Sequence, residues 1–314
     1  MSVSAAGREF DAVMLIAFGG PERPDEIRPF LRHVLAGRPV PPSRIEEVAH
    51  HYERIGGRSP INALTAEQGA ALAERLGAQG DVLPVVLGMW HAPPFIADTL
   101  QRLAAGGTRR VIGVVMAAFH DSATIERYAG AVDAGIAALQ LPDFALRYAG
   151  SPEELPGFTQ ANADTIRTAF ERVPAELRSS ALLVFTAHSV PVAVGERSGY
   201  VAKYQAAAEK IARKLGVTEY RLAYQSRSGN PADPWLEPDI GTVVRAEAEG
   251  GRRALVVAPI GFVCDHVEVL YDLDVEAAQI AGEVGILFVR ASSVTTHPAY
   301  IDALAQTVVE CLTR

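Results

Sequence analysis

Four carboxylates recur at helical spacing within Pro259–Glu276, a stretch reading Pro-Ile-Gly-Phe-Val-Cys-Asp-His-Val-Glu-Val-Leu-Tyr-Asp-Leu-Asp-Val-Glu. At about 3.6 residues per turn, Asp265, Glu268, Asp272 and Glu276 fall on one helix face, one above the other. An aspartate followed three residues later by a glutamate fits an acidic variant of the capping box, and both suit the positive end of a helix dipole. Capping leaves Asp272 and Glu276 unexplained. They lie past the first turn, where like charges four residues apart repel by about 0.2–0.5 kcal/mol per exposed pair, and more when desolvated. Such a row is kept for a cation to face. A second candidate is His188, in Phe185-Thr-Ala-His-Ser-Val-Pro191. An imidazole beside carboxylates is a ligand set for a divalent transition metal, and equally a base with a proton path to solvent. A serine triad is disfavoured, because no Gly-x-Ser-x-Gly elbow is present and Ser189 follows His188 directly.

The elements that must position these groups alternate throughout the chain. Asp11–Phe18, Val82–Met89 and Val111–Met116 are apolar runs of strand length, separated by helical stretches over Asp25–Val34, Thr65–Leu76 and Pro94–Leu103. Another helix restarts at Ser43 with a serine cap, and one more runs from about Ile125 to Leu139. Residues 141–158, with Pro142, Pro152 and Pro156 and little periodicity, form the crossover between halves. The second half repeats the theme, with strands at Ala181–Thr186, Glu219–Tyr224, Ala254–Ala258 and Gly285–Val289, and helices near 160–172, 200–214, 240–248 and 298–311. This alternation predicts an α/β fold of two Rossmann-like lobes with parallel sheets and a cleft between them: residues 1–150 form an N-terminal lobe with the cleft lip. Residues 151–314 form a C-terminal lobe carrying His188 and the acidic helix, whose final helix can pack back on the first lobe. Both His188 and the acidic helix follow a strand, so both sit where open α/β sheets keep their ligands.

Composition narrows the field. The 314 residues are 49% hydrophobic and 21% charged, which is ordinary for a globular protein. A net charge of −8 argues against a nucleic-acid partner, since phosphate binding needs a basic face. No apolar run is long enough to span a bilayer and the first ten residues lack the apolar centre of a signal peptide, so the expected location is the cytoplasm. No GxGxxG follows a strand, which disfavours a dinucleotide site. With two cysteines, Cys264 and Cys311, neither a disulfide framework nor an all-cysteine metal cluster is expected.

Three of these stretches together resemble the ferrochelatase family, whose members insert ferrous iron into a porphyrin. They are Thr186–Pro191, Tyr224–Arg227 with Pro234–Asp239, and Pro259–Glu276. The likeness continues through Ala17–Pro21, Tyr52–Pro60 and Trp90–Phe95, so it covers nearly the whole chain in order. The resemblance implies a chelatase-type fold with the porphyrin in the cleft, and catalytic roles for His188 and Glu268 facing one another across the macrocycle centre. It further implies that His188, Glu268, Asp272 and Glu276 handle the metal, the last two as a route for metal or protons. Metallation must strip water from Fe²⁺, remove two pyrrole protons and bend the ring, which is work for a base and a set of carboxylates.

By the same resemblance, Phe18, Arg38, Ser59, Thr124 and Tyr128 are expected to meet the porphyrin, Arg38 through a propionate. Phe18 departs from relatives that carry a tyrosine there, so axial oxygen ligation from that position is excluded. Relatives that bind a [2Fe–2S] cluster do so through four cysteines, so no cluster and no other prosthetic group is expected here, with Fe²⁺ entering as substrate. The first-half pattern looks more like members acting on coproporphyrin III than on protoporphyrin IX, although Leu31, Val34 and Leu35 could equally hold vinyl groups. Alternatives are insertion of cobalt or nickel into a related tetrapyrrole, and a haem or porphyrin binder without turnover. Expected partners are the porphyrin and iron, with transient contacts to other enzymes of haem synthesis.

Overall fold

In a computed structural model of the chain, residues 9–37, 41–80, 82–228 and 233–313 are described. The first half runs β1 (Ala12–Ala17), α1 (Ile27–Val34), α2 (Pro42–Arg54), α3 (Ile61–Ala78), β2 (Val85–Met89), α4 (Ile96–Ala105), β3 (Arg110–Val115), α5 (Ser122–Ala138) and β4 (Ala145–Tyr148). The second runs α6 (Pro156–Glu171), α7 (Ala175–Arg178), β5 (Leu182–His188), α8 (Val192–Ser198), α9 (Tyr200–Leu215), β6 (Tyr220–Gln225), α10 (Ile240–Glu249) and β7 (Ala254–Ala258). It closes with α11 (Val267–Tyr271), a π turn (Asp272–Ala277), α12 (Ala278–Glu283), β8 (Leu287–Arg290) and α13 (Pro298–Thr313). All strand pairs are parallel, in two four-stranded sheets ordered β2-β1-β3-β4 and β6-β5-β7-β8. The two halves therefore share one topology, and the expected pair of Rossmann-like α/β lobes is the fold.

Alternation along each central strand explains why the sheets are sandwiched. Val13, Leu15 and Ala17 of β1 and Leu183, Phe185 and Ala187 of β5 enter one core that runs between the sheets. Their neighbours Ala12, Met14 and Ile16 face α4 and α5, while Leu182 and Val184 face α10 and α12. A strand buried on both faces has no polar side to present, hence the near-continuous apolar runs of the sequence. A smaller cluster of Ile27, Phe30, Leu31, Ala49 and Tyr52 holds α1 and α2 together as the lip, and Val267 of the acidic helix packs against it. Helix α13 packs on α3 and α6 and touches β3, which returns the chain end to the first sheet.

Several local expectations are corrected. Residues 141–158 contain β4, hidden from a pattern search because its Ala-Leu-Arg-Tyr is an edge strand with no fully buried residue. Ser43 caps nothing: α2 begins at Pro42, whose fixed φ suits the first helical position, and it has no side-chain cap. The short α8 lies between the expected strand and the helix near 200–214, in residues given no element from sequence.

Candidate functional site

In the second sheet, β5 lies between β6 and β7, so the chain leaves β5 toward one neighbour and later returns on the other. That reversal opens a crevice at the carboxyl ends of β5 and β7. His188 is the last residue of β5, and the loop after β7 leads into α11. Gly261 lets the two exits approach: a Cβ there would stand 2.6 Å from both Cα and Cβ of Ala187, beside the histidine. Gly261→Ala is therefore expected to push the β7 loop away from β5 and destabilise the protein by about 1–3 kcal/mol, measurable by urea unfolding. Wild-type stability in that variant would show that the loop yields freely.

The histidine is fixed on three sides. Its Nδ1 donates to Ser189 O at 2.5 Å, which points Nε2 at Glu268 Oε1, 3.2 Å away. Tyr200 donates its hydroxyl to His188 O at 2.9 Å, and Ser189 is itself anchored through Oγ to Leu236 O at 2.9 Å. Glu268 is held by its backbone, with its carbonyl accepting from Gln225 Nε2 at 2.8 Å and its N–H donating to His266 Nδ1 at 3.1 Å. His266, rather than the expected Asp265, is thus the N-cap of α11. Because His188 and Glu268 touch, they stand on one side of any flat ring. The expectation that they face each other across a macrocycle is corrected by that contact, which leaves no gap between them.

Asp265 also leaves the row. It precedes the helix and pairs with Arg290 and Ser293. The other three carboxylates are aligned by the π turn. In a uniform α-helix Glu276 would sit about 80° round from Glu268. A π turn takes about 4.4 residues, so the four steps from Asp272 bring Glu276 back nearly over Glu268. Asp272 is buried and accepts a hydrogen bond from the Ser226 hydroxyl, and Ser226 adopts φ +66° to deliver it. Glu276 is exposed. The row therefore runs outward from the half-buried His188–Glu268 pair through Asp272 to solvent, and among the described residues no three such groups are gathered as a metal cage.

Electrostatics differ along the row. Burial would raise the Glu268 pKa, but the facing charge and hydrogen bond of His188, with help from His266, hold it down at about 2. Burial pushes His188 down, and the Glu268 charge and hydrogen bond overcome it to give a net rise. Each group thus favours the charged form of the other. Asp272 is pushed up to about 7, by burial first, against the Ser226 hydrogen bond, and then by the charges of Glu268 and Glu276. Glu276 is raised by its partial burial, then by Asp239 and Glu47. Since the folded pKa of Asp272 exceeds its unfolded value, its neutral form favours folding below about pH 4, and that contribution is lost as pH rises through about 7. Asp272→Asn is accordingly expected to exceed wild-type stability at pH 8, on the order of 1–3 kcal/mol, with a smaller gap at pH 5. Urea melts at the two pH values test this, and equal gaps would mean Asp272 titrates normally.

The first lobe contributes rings. Phe18, at the exit of β1, lies 4.6 Å from the His91 ring, 6.3 Å from Trp90 and 6.4 Å from Phe30, measured between centroids. Tyr128 is half-buried against Trp90 at 5.7 Å. Burial raises the Tyr52 and Tyr128 hydroxyls, and the Glu268 charge adds to both. Thr124, one turn before Tyr128, spends its hydroxyl on Asp121 Oδ2 at 2.5 Å in the N-cap of α5. Ser59 is buried, its hydroxyl 3.4 Å from Ile61 N in the turn before α3. Arg38 lies outside the described residues. Reasoning from sequence passed over Tyr200, His266, Gln225 and Ser226 as site residues. The last three stand in quoted motifs, whereas nothing in the sequence singles out Tyr200.

Comparison with known proteins shows the family and the fold. The ferrochelatase family model matches residues 10–312. The chain is 42% identical over 328 residues to the coproporphyrin III ferrochelatase of Frankia alni, covering 99% of this chain and 82% of that protein. It is 38% identical over 306 residues to the coproporphyrin III ferrochelatase of Mycolicibacterium smegmatis, covering 96% and 90%. Among solved structures, SirB from Bacillus subtilis with Fe³⁺ matches with a TM-score of 0.57 over 96% of this chain and 95% of that one, a likeness of fold at 14% identity.

Proposed function

The chain belongs to the ferrochelatase family, and from that premise we propose that it is a lyase of haem biosynthesis that inserts Fe²⁺ into coproporphyrin III. The observation that carries the reading is the His188–Glu268 pair at 3.2 Å, backed by a row of carboxylates leading to solvent. Iron insertion releases two protons from the pyrrole nitrogens as the cation arrives. We assign the porphyrin centre to the open side of the pair, where the His188 side chain is 27% and Glu268 35% exposed. Fe²⁺ approaching Glu268 drives a proton held on His188 off along the row, and the neutral imidazole then accepts the two pyrrole protons one after the other. Asp272, with its pKa near neutrality, can take each of these protons in turn and pass it toward Glu276 and solvent. Charge balances, because a dication enters as two protons leave.

We assign residues 1–150 and 151–314 to the two lobes that close on the ring, with Phe18, Tyr128 and Thr124 on the first. Arg38 and Ser59 remain assigned to the porphyrin's periphery by family likeness. Leu31 is buried in the lip cluster and offers no surface to a vinyl group, whereas Val34 and Leu35 are partly exposed. Iron is substrate, and two buried thiols are fewer than the four ligands of a [2Fe–2S] cluster. We place the activity in the cytoplasm; among the described residues no helix is long and apolar enough to cross a membrane. The test is anaerobic mixing with Fe²⁺ and either porphyrin. Loss of free coproporphyrin III fluorescence over many turnovers, faster than with protoporphyrin IX, is the expected result. Turnover only with cobalt or nickel, or a spectral change that stops at one equivalent, would overturn it.

A further inference from the structure

The acidic stretch holds two aspartates that the row does not use, Asp265 and Asp274, and both reach the same arginine. Arg290, the last residue of β8, sends Nε to Asp274 Oδ1 at 2.6 Å and Nη2 to Asp274 Oδ2 at 2.9 Å. The same guanidinium meets Asp265 at 3.2 and 3.1 Å, and Ser293 Oγ completes Asp265 at 2.6 Å. We propose that Arg290 is a positioning residue for metal delivery: by gripping Asp265 ahead of α11 and Asp274 inside the π turn, it holds the turn in the register that aligns Glu268, Asp272 and Glu276. The inference rests on the reading that this row carries the cation.

The geometry favours a clamp over an incidental surface pair. A π turn is rare in isolation and needs its surroundings to keep it. Counted round the helix, Asp274 sits about 200° from Glu268, on the back, so Arg290 pulls from the side opposite the row. The anchor is firm, because β8 is paired to β7 and the Arg290 side chain is only 15% exposed. A planar fork that engages two carboxylates fixes orientation as well as distance. Relaxing the turn to α-helix would carry Asp274 round the axis away from the fork and swing Glu276 out of line with Glu268.

The experiment compares wild type with Arg290→Gln, Arg290→Lys, Asp274→Asn and the Arg290→Gln/Asp274→Asn double variant. Mn²⁺ binding to the porphyrin-free protein is read by electron paramagnetic resonance, alongside the KM for Fe²⁺, the KM for coproporphyrin III and urea stability. Arg290→Gln and Asp274→Asn are expected to weaken Mn²⁺ about tenfold or more and to raise the iron KM in proportion, with the porphyrin KM within about twofold. The lysine should restore only part, since an ammonium cannot fork, and the double variant should be no worse than the poorer single one. Unchanged Mn²⁺ affinity and iron KM would overturn the clamp, as would both KM values moving together with stability. If Arg290→Gln does not fold, Asp274→Asn decides the matter, because it leaves the grip on Asp265. Wild type that binds Mn²⁺ yet turns over no porphyrin would refute the ferrochelatase reading while the Mn²⁺ comparison still judges the clamp.

Discussion

His188→Ala is expected to cut the rate of iron insertion by about 10²–10⁴-fold, the range lost when a positioned acid–base group is removed. The imidazole meets the Glu268 carboxylate through Nε2 and is held in place by Ser189 O at Nδ1 and by Tyr200 at its own carbonyl. Alanine leaves the backbone bonds intact, so the site should keep its shape. It also leaves the Glu268 carboxylate without its cation, and that pKa should climb from about 2 toward the ordinary range. Because the pair is partly open to solvent, the cost in stability should be small, about 1 kcal/mol or less. In the proposed reading the ring is gripped mainly by residues of the first lobe, so coproporphyrin III affinity, followed by fluorescence titration, should change by less than about threefold. Near-normal turnover would remove His188 from the chemistry, and lost porphyrin binding would recast it as a docking residue.

Glu268→Gln is expected to lower turnover by about a hundredfold or more, and to leave a second signature in pH. In the wild type, Glu268 outweighs burial and raises the His188 pKa. Glutamine removes the charge, leaving burial opposed only by the Ser189 hydrogen bond and the Asp272 charge, so the His188 pKa should fall. Stability should follow. The folded pKa of His188 is raised, so its contribution is fully present below about pH 6.5 and lost as pH rises through the folded value. That of Glu268 is depressed, so its contribution is present above about pH 4.5 and lost as pH falls toward 2. The stability advantage of wild type over Glu268→Gln should therefore peak at about pH 4.5–6.5 and shrink, or reverse, at pH 9. Urea melts across this range, with turnover assayed in parallel, test both parts. Full activity in the variant would return the acidic row to helix capping.

Both substitutions probe groups that the sequence had already singled out, and the reason is local. An apolar run buried on both faces writes its strand into composition, which is why β7 matches its expected bounds and the alternation gives the α/β class. A carboxylate every four residues is visible in any helix, so Glu268, Asp272 and Glu276 were legible as a row. What spacing could not give is direction. A periodicity of 3.6 assumes a uniform helix, and the π turn departs from it because Arg290, sixteen residues beyond Asp274, reaches back to hold it. Asp265, in step with the row by count, was drawn off by that same arginine.

Thr124 and Ser59 show the same limit, since their hydroxyls are engaged by the turns that carry them. The sequence by itself determined the buried strands, most of the helices and the ionisable groups, because these depend on neighbours along the chain. Only the tertiary structure decided that β5 and β7 would lie side by side with their ends open. That packing set Nε2 of His188 against Glu268 and turned a count of carboxylates into a line leading from solvent to one imidazole.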